Sequence, residues 1–324
     1  MRIVLLGPMG QVGWELQRAL APLGEVIALG RHGAMSRDDL PHDLPGDLCA
    51  DLCGDLTQPQ AVARSIALLQ PQAIVNAAAY TAVDKAEAER DLAFAINGSA
   101  VGVLAQAARE CGAWLVHYST DYVFDGSGDR PWRETDATAP VNTYGASKLA
   151  GEQAIAAAHD KHLILRCSWV FEAWGQNFLK TILRAAQQRD SLRVVADQWG
   201  APTRAALIAD VTAHALRTVL QADAAQARTL AGLYHLSPRG ETHWQAYAQR
   251  VVEQAARHGM ALKVQPDAIT GIPSADYPTP ARRPHNSRLD ASRLEQAFGL
   301  HLPPWQQGVD AVVAELAALS TRNA

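Results

Sequence analysis

Residues Arg2 to Leu6 form a short apolar run that stops at Gly7, and Gly10 and Gly13 follow at three-residue intervals. A continuous apolar run of this length suits a strand buried on both faces. Apolar residues then fall at Val12, Leu16, Ala19, Leu20 and Leu23, a helical spacing that ends near Gly24. Strand, glycine turn and helix in succession leave few folds open. Glycines there permit a tight turn, close approach of backbone to a pyrophosphate, and close packing of helix on strand. The helix N-terminus presents free N–H groups to the phosphates. The spacing is G-x-x-G-x-x-G rather than the commoner G-x-G-x-x-G, so the motif carries weight only through its flanking strand and helix.

The pattern then repeats. Glu25–Leu29 is expected as a second strand, and Gly30 to Asp55, crowded with Asp, Pro, Gly and His, as a long surface loop. Thr57 is placed to cap a helix over Gln60–Leu69. Ala73–Ala79 and Trp114–Thr120 read as strands around a mostly helical Ala88–Cys111, and an Ala-rich helix over Tyr144–Ala158 precedes a strand over Leu163–Val170. Strands alternating with helices imply a parallel, doubly wound α/β sheet. The second half is less regular. It offers helices at Phe178–Gln188, Ala205–Leu220 and Trp244–His258, a strand at Leu192–Val195, and Gly232–Leu236 as a strand rejoining the first sheet. Pro266 to Pro284, with five prolines, is expected to be a shaped loop region.

Composition narrows the class. At 324 residues, 48% hydrophobic and 19% charged, the chain can build a core and is long enough for two domains. Its net charge of −4 argues against a nucleic-acid surface. No run approaches the roughly 20 uninterrupted apolar residues of a membrane span, and Met1–Gly7 lacks the make-up of a secretion signal. Cys49, Cys53, Cys111 and Cys167 make no disulfide framework, and the Cys49/Cys53 pair lacks a second pair to complete a metal site. A soluble cytoplasmic protein is the expectation.

Tyr144 and Lys148 stand four residues apart, on one helix face. A phenol is a poor acid–base group at neutral pH, and an adjacent cation lowers its pKa. Ser119, Thr120 and Asp121 close a strand where a parallel sheet presents ligand-binding groups, so the Thr120 hydroxyl can share a substrate oxygen with Tyr144. The small residues after Asn76 let a cofactor lie against the backbone. At the end of the second strand, Gly30 and Arg31 stand where a carboxylate would otherwise hold an adenosine ribose. A guanidinium there can pair with a 2′-phosphate, which favours NADPH.

Five stretches, 10–16 (GQVGWEL), 76–84 (NAAAYTAVD), 118–124 (YSTDYVF), 200–203 (GAPT) and 281–287 (ARRPHNS), resemble the dTDP-4-dehydrorhamnose reductase family within the extended short-chain dehydrogenase/reductases. The resemblance implies a Rossmann-type nucleotide domain (1–168, with about 204–236) and a smaller C-terminal α/β substrate domain (169–203 and 237–324). It implies NADPH-dependent reduction of the C4 ketone of dTDP-4-dehydro-6-deoxy-L-mannose to dTDP-L-rhamnose, supplying lipopolysaccharide O-antigen synthesis.

The same resemblance places Gly7, Gly10, Gln11, Val12 and Gly13 at the pyrophosphate, Asp55 and Leu56 by the adenine, and Ala79, Tyr80, Thr81 and Tyr118 along the cofactor. Tyr144, Lys148 and Thr120 would be catalytic; Thr120, Asp121, Trp169, Asn177, Arg282 and Asn286 would touch the sugar nucleotide. It further implies a homodimer. Relatives that bridge a dimer with Mg²⁺ use a carboxylate at the Glu15 position and another just after Gly200–Thr203; Ala206 stands near that second place, so the metal pattern is incomplete. Some relatives have Asp at the Gly30 position and a shorter segment before Asp55, which leaves NADH as the lesser cofactor option. The rival readings are an epimerase or dehydratase of the same superfamily, and a non-catalytic regulatory subunit of the methionine adenosyltransferase type.

Overall fold

In the computed structural model, which describes residues 1–31, 33–34 and 52–322, strand β1 (Arg2–Leu6) passes through the glycine turn into helix α1 (Gln11–Leu20) and returns as β2 (Glu25–Gly30). A two-residue strand β3 (Gly33–Ala34) folds back antiparallel on β2. Helix α2 (Pro59–Leu69) leads to β4 (Ala73–Asn76), and α3 (Val83–Ala88), α4 (Arg90–Phe94), a π turn at Ala95–Ser99 and α5 (Ala100–Cys111) lead to β5 (Trp114–Thr120). Helix α6 (Thr143–Ala158) connects to β6 (His162–Cys167). Then follow β7 (Val170–Phe171), α7 (Phe178–Gln188), β8 (Leu192–Val195), β9 (Trp199–Gly200), β10 (Thr203–Arg204), α8 (Ala205–Gln221), α9 (Ala224–Leu230) and β11 (Gly232–Leu236). The chain ends through β12 (Thr242–His243), α10 (Trp244–Arg257), β13 (Ile269–Ile272), α11 (Ser292–Phe298) and α12 (Trp305–Arg322).

The main sheet runs β11-β6-β5-β4-β1-β2-β3, with the first six strands parallel. Side chains alternate across it, as strand geometry requires. Ile3 and Leu5 pack with Leu16 and Leu20 of α1 and Ile208 and Leu216 of α8. Val4 and Leu6 face the other way, onto Ile66 of α2, Leu104 of α5 and Ile155 of α6. A third core gathers Leu179 and Leu183 of α7, Val251 and Val252 of α10, and Val309 and Val312 of α12, away from the sheet. The chain leaves β1 toward β2 on one side and later toward β4 on the other. That reversal opens the crevice in which doubly wound folds bind ligands.

Several expected boundaries move for local reasons. The strand after Gln72 stops at Asn76, because Asn76 Oδ1 accepts the Ala78 N–H at 3.1 Å and turns the backbone. Thr57 is not the cap of α2; Asp55 Oδ1 accepts the Thr57 N–H, and the helix begins at Pro59 with Gln58 before it. The strand expected to reach Val170 ends at Cys167, since Trp169 takes a left-handed φ of +47°. The proline-rich stretch contains β13, which pairs with β8. The loop from Gly30 returns at Leu52–Gly54 against β2, where Gly54 N–H donates to Gly30 O at 3.1 Å; its residues 32 and 35–51, Cys49 included, lie outside the described residues.

The helical stretch Arg90–Cys111 is long and on average apolar enough to cross a membrane by length and composition alone, but Asp91, Asn97, Gln106 and Arg109 interrupt it, so it is no uninterrupted apolar run. Half of it is buried, with α5 packed against α2 and α6.

The β1–α1 turn depends on Gly13. A Cβ there would stand 2.0 Å from Gly7 O and 2.8 Å from Gly7 C, both backbone atoms that cannot swing aside. Gly13→Ala is therefore expected to lower unfolding free energy by at least the 1–3 kcal/mol (approximate) typical of overpacking, read as the urea midpoint shift at unchanged m-value. A midpoint equal to wild type would show that the turn is looser than drawn.

Candidate active site

The glycine turn forms a cradle. Gly7 has φ +76°, and a Cβ on it would meet Ala78 N at 2.6 Å, so the turn lies flat against the backbone leaving β4. Gly10 caps α1 without a side-chain bond, and the first turn holds no acidic residue. The N–H groups of Gln11, Val12 and Gly13 thus open toward the crevice with no intrahelical acceptor. Unpaired amides at the positive end of a helix suit a pyrophosphate. At the far end of β2, Arg31 is exposed and no carboxylate stands at Gly30. Asp55 and the buried Leu56 lie beside this strand end, held there by the close passage of Gly54.

A strap from the second lobe lies over that cradle. Trp174 stacks on Trp14 with ring centroids 4.9 Å apart, and its Nε1 donates to Met9 O at 3.3 Å. Asn177, expected at the substrate, is otherwise committed. Its Oδ1 caps α7 through Lys180 N–H, and its Nδ2 donates to Gln11 Oε1 at 2.8 Å and to Glu172 O at 2.6 Å. Its amide therefore joins the strap to the glycine turn, with both Nδ2 protons engaged. Trp14 and Trp174 are 42% and 44% exposed.

The carboxyl ends of β4, β5 and β6 gather the polar groups. Asn97, in the π turn, accepts the Tyr80 N–H at 2.9 Å, donates to Tyr80 O at 3.0 Å, and donates to Ser147 Oγ on α6 at 3.0 Å. A π turn re-aims one side chain in a helix, and here it fixes the backbone from Ala79 to Thr81. Tyr80 points its hydroxyl outward to Glu89 and Thr81 is exposed. Tyr118 bonds Thr212 Oγ1 of α8 at 2.8 Å.

Thr120 and Asp121 stand at the end of β5, opposite the first turn of α6. Asn142 caps that helix through the Gly145 N–H. Gly145 lets the helix approach Tyr122 O, which would lie 2.1 Å from a Cβ. The Tyr144 hydroxyl lies against the Thr120 hydroxyl, and Thr120 Oγ1 donates to Asp121 Oδ1 at 3.1 Å. Burial, with Asp121 adding to it, holds the Tyr144 phenol above its ordinary pKa. This reverses the sign expected from the sequence: burial outweighs any cation nearby, and Lys148 Nζ sits 3.3 Å from His117 Nε2. Burial pushes Lys148 itself down to about 8, opposed by Glu152 and Cys167. Burial also raises Asp121 to about 7, despite bonds from Ser287 and Thr120.

The C-terminal segment closes the other side. Trp169 stacks on Trp244 at 3.7 Å between centroids, and Gly200 is the floor beneath its indole, where a Cβ would be 2.7 Å away. Arg283 forks onto Asp84 at 2.5 and 2.8 Å, leaving Arg282 as the exposed guanidinium of the pair. Asn286, also expected at the substrate, is buried. Its Nδ2 donates to Ser127 O and Arg130 O and its Oδ1 accepts from Arg288 N–H, so it braces the loop after β5. Among the described residues no three His, Cys, Asp or Glu side chains gather to hold a metal; Glu15 pairs with Arg18, and Ala206 meets Glu172 through its N–H.

The RmlD substrate-binding domain model matches residues 1–318. The chain belongs to the dTDP-4-dehydrorhamnose reductase family. It is 51% identical over 316 residues to the dTDP-4-dehydrorhamnose reductase of Shigella flexneri, covering 98% of both chains. It is 48% identical over 321 residues to the Salmonella typhimurium enzyme of that name, covering 99% of this chain and all of the other. Among solved structures, the Bacillus anthracis dTDP-4-dehydrorhamnose reductase in complex with NADP superposes with a TM-score of 0.82 at 31% identity, over 97% of this chain and 99% of that one. The glycine turn follows β1, the Ser119 and Thr120 hydroxyls close β5, and the tyrosine–lysine pair lies on α6 beside Thr120.

The sequence reading missed the groups that hold this site in place. Asn97 lay inside a helical pattern, His117 inside an apolar strand, and Ser287 in a loop. Polar residues interrupting apolar periodicity were the available signal for the first two. Asp121 generates a prediction for stability. Its folded pKa of about 7 exceeds an ordinary carboxyl's, so between roughly pH 4 and 7 the unfolded chain has released a proton that the folded chain keeps. Folding stability from this group therefore falls as pH rises through that window. Asp121→Asn should match wild type near pH 4 and exceed it at pH 8. The upper limit of that excess is a few kcal/mol, at about 1.4 kcal/mol for every tenfold difference in proton affinity between the folded and unfolded carboxyl. Denaturation curves across pH 4–8 check this; a variant no more stable than wild type at pH 8 would refute it.

Proposed function

We propose that this chain reduces the C4 ketone of dTDP-4-dehydro-6-deoxy-L-mannose to dTDP-L-rhamnose. The observation that carries this is the Tyr144–Thr120 hydroxyl pair at the mouth of a crevice whose other end is a pyrophosphate cradle. NADPH supplies the hydride that C4 receives. Gln11, Val12 and Gly13 would hold its pyrophosphate through their N–H groups. Ala79, Tyr80 and Thr81, fixed by Asn97, would line its course toward Tyr118 and α6.

Thr120 would hold the ketone oxygen and Tyr144 would give it a proton. One hydride at carbon and one proton at oxygen complete the alcohol. A phenol raised by burial arrives at the reaction protonated, which is what a general acid needs. Lys148, on the same helix face, would stand by the nicotinamide ribose. Trp169, stiffened by Trp244, would offer a flat wall to the sugar, with Asp121 beside it and Arg282 available to the diphosphate.

On this reading, residues 1–168 with about 204–236 hold the cofactor, and 169–203 with 237–324 hold the sugar nucleotide. A homodimer, a cytoplasmic setting and supply of rhamnose to lipopolysaccharide belong to the same reading. Incubation with the 4-keto sugar nucleotide and NADPH, followed by loss of reduced-cofactor absorbance, tests it. Tyr144→Phe keeps the ring and removes the proton. Turnover should fall by roughly 10²–10⁴-fold while NADPH binding stays near wild type, and undiminished turnover would remove Tyr144 from its role.

Cofactor choice gives a second test. Arg31 is exposed, so its pairing with a 2′-phosphate is worth about 1 kcal/mol or less, near the upper value for exposed pairs. Arg31→Ala should weaken NADPH up to about fivefold and leave NADH unchanged in dissociation constant. Equal effects on both cofactors would show that Arg31 does not read the phosphate.

A further inference from the structure

Behind Lys148 lies a chain of three buried side chains whose proton positions follow from one backbone amide. The Ala78 N–H donates to Asn76 Oδ1 at 3.1 Å. A backbone N–H only donates, so the carboxamide of Asn76 must present oxygen to it. Its nitrogen, Nδ2, therefore faces His117 Nδ1, at 3.1 Å. A carboxamide nitrogen also only donates, so His117 Nδ1 is an acceptor and carries no proton. A neutral imidazole has one N–H, which falls on Nε2. That nitrogen faces Lys148 Nζ at 3.3 Å.

An ammonium at Nζ would oppose donor to donor. A neutral amine would not, because its lone pair accepts the Nε2 proton. Asn76 and His117 are each 1% exposed and Lys148 2%, so water has little room to relieve the conflict. Protonating His117 offers no escape: Nδ1 would then meet the Asn76 amide as a second donor, and burial beside Lys148 already disfavours the imidazolium.

We infer that Asn76 and His117 are positioning residues that lock one imidazole tautomer and, through it, favour Lys148 as a neutral amine before ligands bind. The inference rests on the proposed reductase reading, in which Lys148 works beside Tyr144. Its consequence is a lysine that takes up a proton from solvent only when a bound ligand offers Nζ an acceptor. The other groups around Lys148 act as follows. On its own helix, Tyr144 is one turn before it and Glu152 one turn after. Cys167 faces it from β6, with Asp121 beyond the thiol. Glu152 favours the ammonium, as does Cys167 when ionised, but burial outweighs both.

The test uses the ligand-free protein and needs no turnover. In ¹⁵N-histidine-labelled protein, His117 should show an unprotonated Nδ1 and a protonated Nε2. In protein labelled with ¹³C at lysine Cε, Lys148 should titrate at least one pH unit below the exposed lysines. Asn76→Asp keeps the oxygen that receives Ala78 N–H and replaces the donor with an acceptor. The imidazole proton should then move to Nδ1, leaving Nε2 to accept from an ammonium, and the Lys148 midpoint should rise by at least one pH unit, a tenfold change in proton affinity. A protonated Nδ1 in the wild type overturns the inference, as does an unmoved Lys148 midpoint in an Asn76→Asp protein whose tautomer has switched. If Asn76→Asp does not fold, the wild-type tautomer and midpoint decide alone. A protein that shows the lock but does not reduce the keto sugar would refute the proposed function and leave the tautomer lock standing.

Discussion

The close approach of two backbones at the sheet's switch point governs the rest of the molecule. The turn at Gly7 lies on the backbone at Ala77 and Ala78, and α1 begins so near that turn that only Gly13 fits. Any side chain at either glycine would lift α1 from the sheet and tilt its free N–H groups away from the crevice. The same contact places Ala78 N–H where Asn76 can bond it, so the phosphate cradle and the polar chain behind Lys148 share one origin. Packing on both faces, with Leu16 and Leu20 on one side and Ile66 on the other, holds the arrangement.

The polar groups of the site are costly to bury, and the fold meets that cost unevenly. Arg166 and Glu152, nearly inaccessible, form a two-point ion pair at 2.6 and 2.9 Å and satisfy each other. Asp121 has an oxygen without a partner, and so does the neighbouring Ser119 hydroxyl. Other buried polar atoms without a partner, those of Tyr247, Gln254 and Trp305, lie in or beside the third core.

The C-terminal segments meet the first sheet in its core through Leu294 and Phe298, on the loop after β5 through Asn286, and at the candidate site. The strap at 172–177 bonds the glycine turn through Asn177 and Trp174, and the segment 281–287 reaches the nucleotide lobe through Arg283–Asp84 and Ser287–Asp121.

The sheet, its helices and the crevice were legible in the chain because they rest on local periodicity: apolar runs for buried strands, 3.6-residue spacing for helices, and glycine where backbone must turn. The tyrosine–lysine pair was legible because four residues of helix put both side chains on one face. What those groups do to one another was not. The spacing of Tyr144 and Lys148 suggested a lowered phenol, yet the lysine turns to His117, a residue 31 positions earlier, and burial sets the sign for both. Asn177 and Asn286 carry the right chemistry for a sugar, but only the packed structure shows that their Nδ2 protons are engaged within the fold. Local spacing is written in sequence; proton affinity and hydrogen-bond availability depend on burial and on partners far along the chain, and only tertiary structure supplies those.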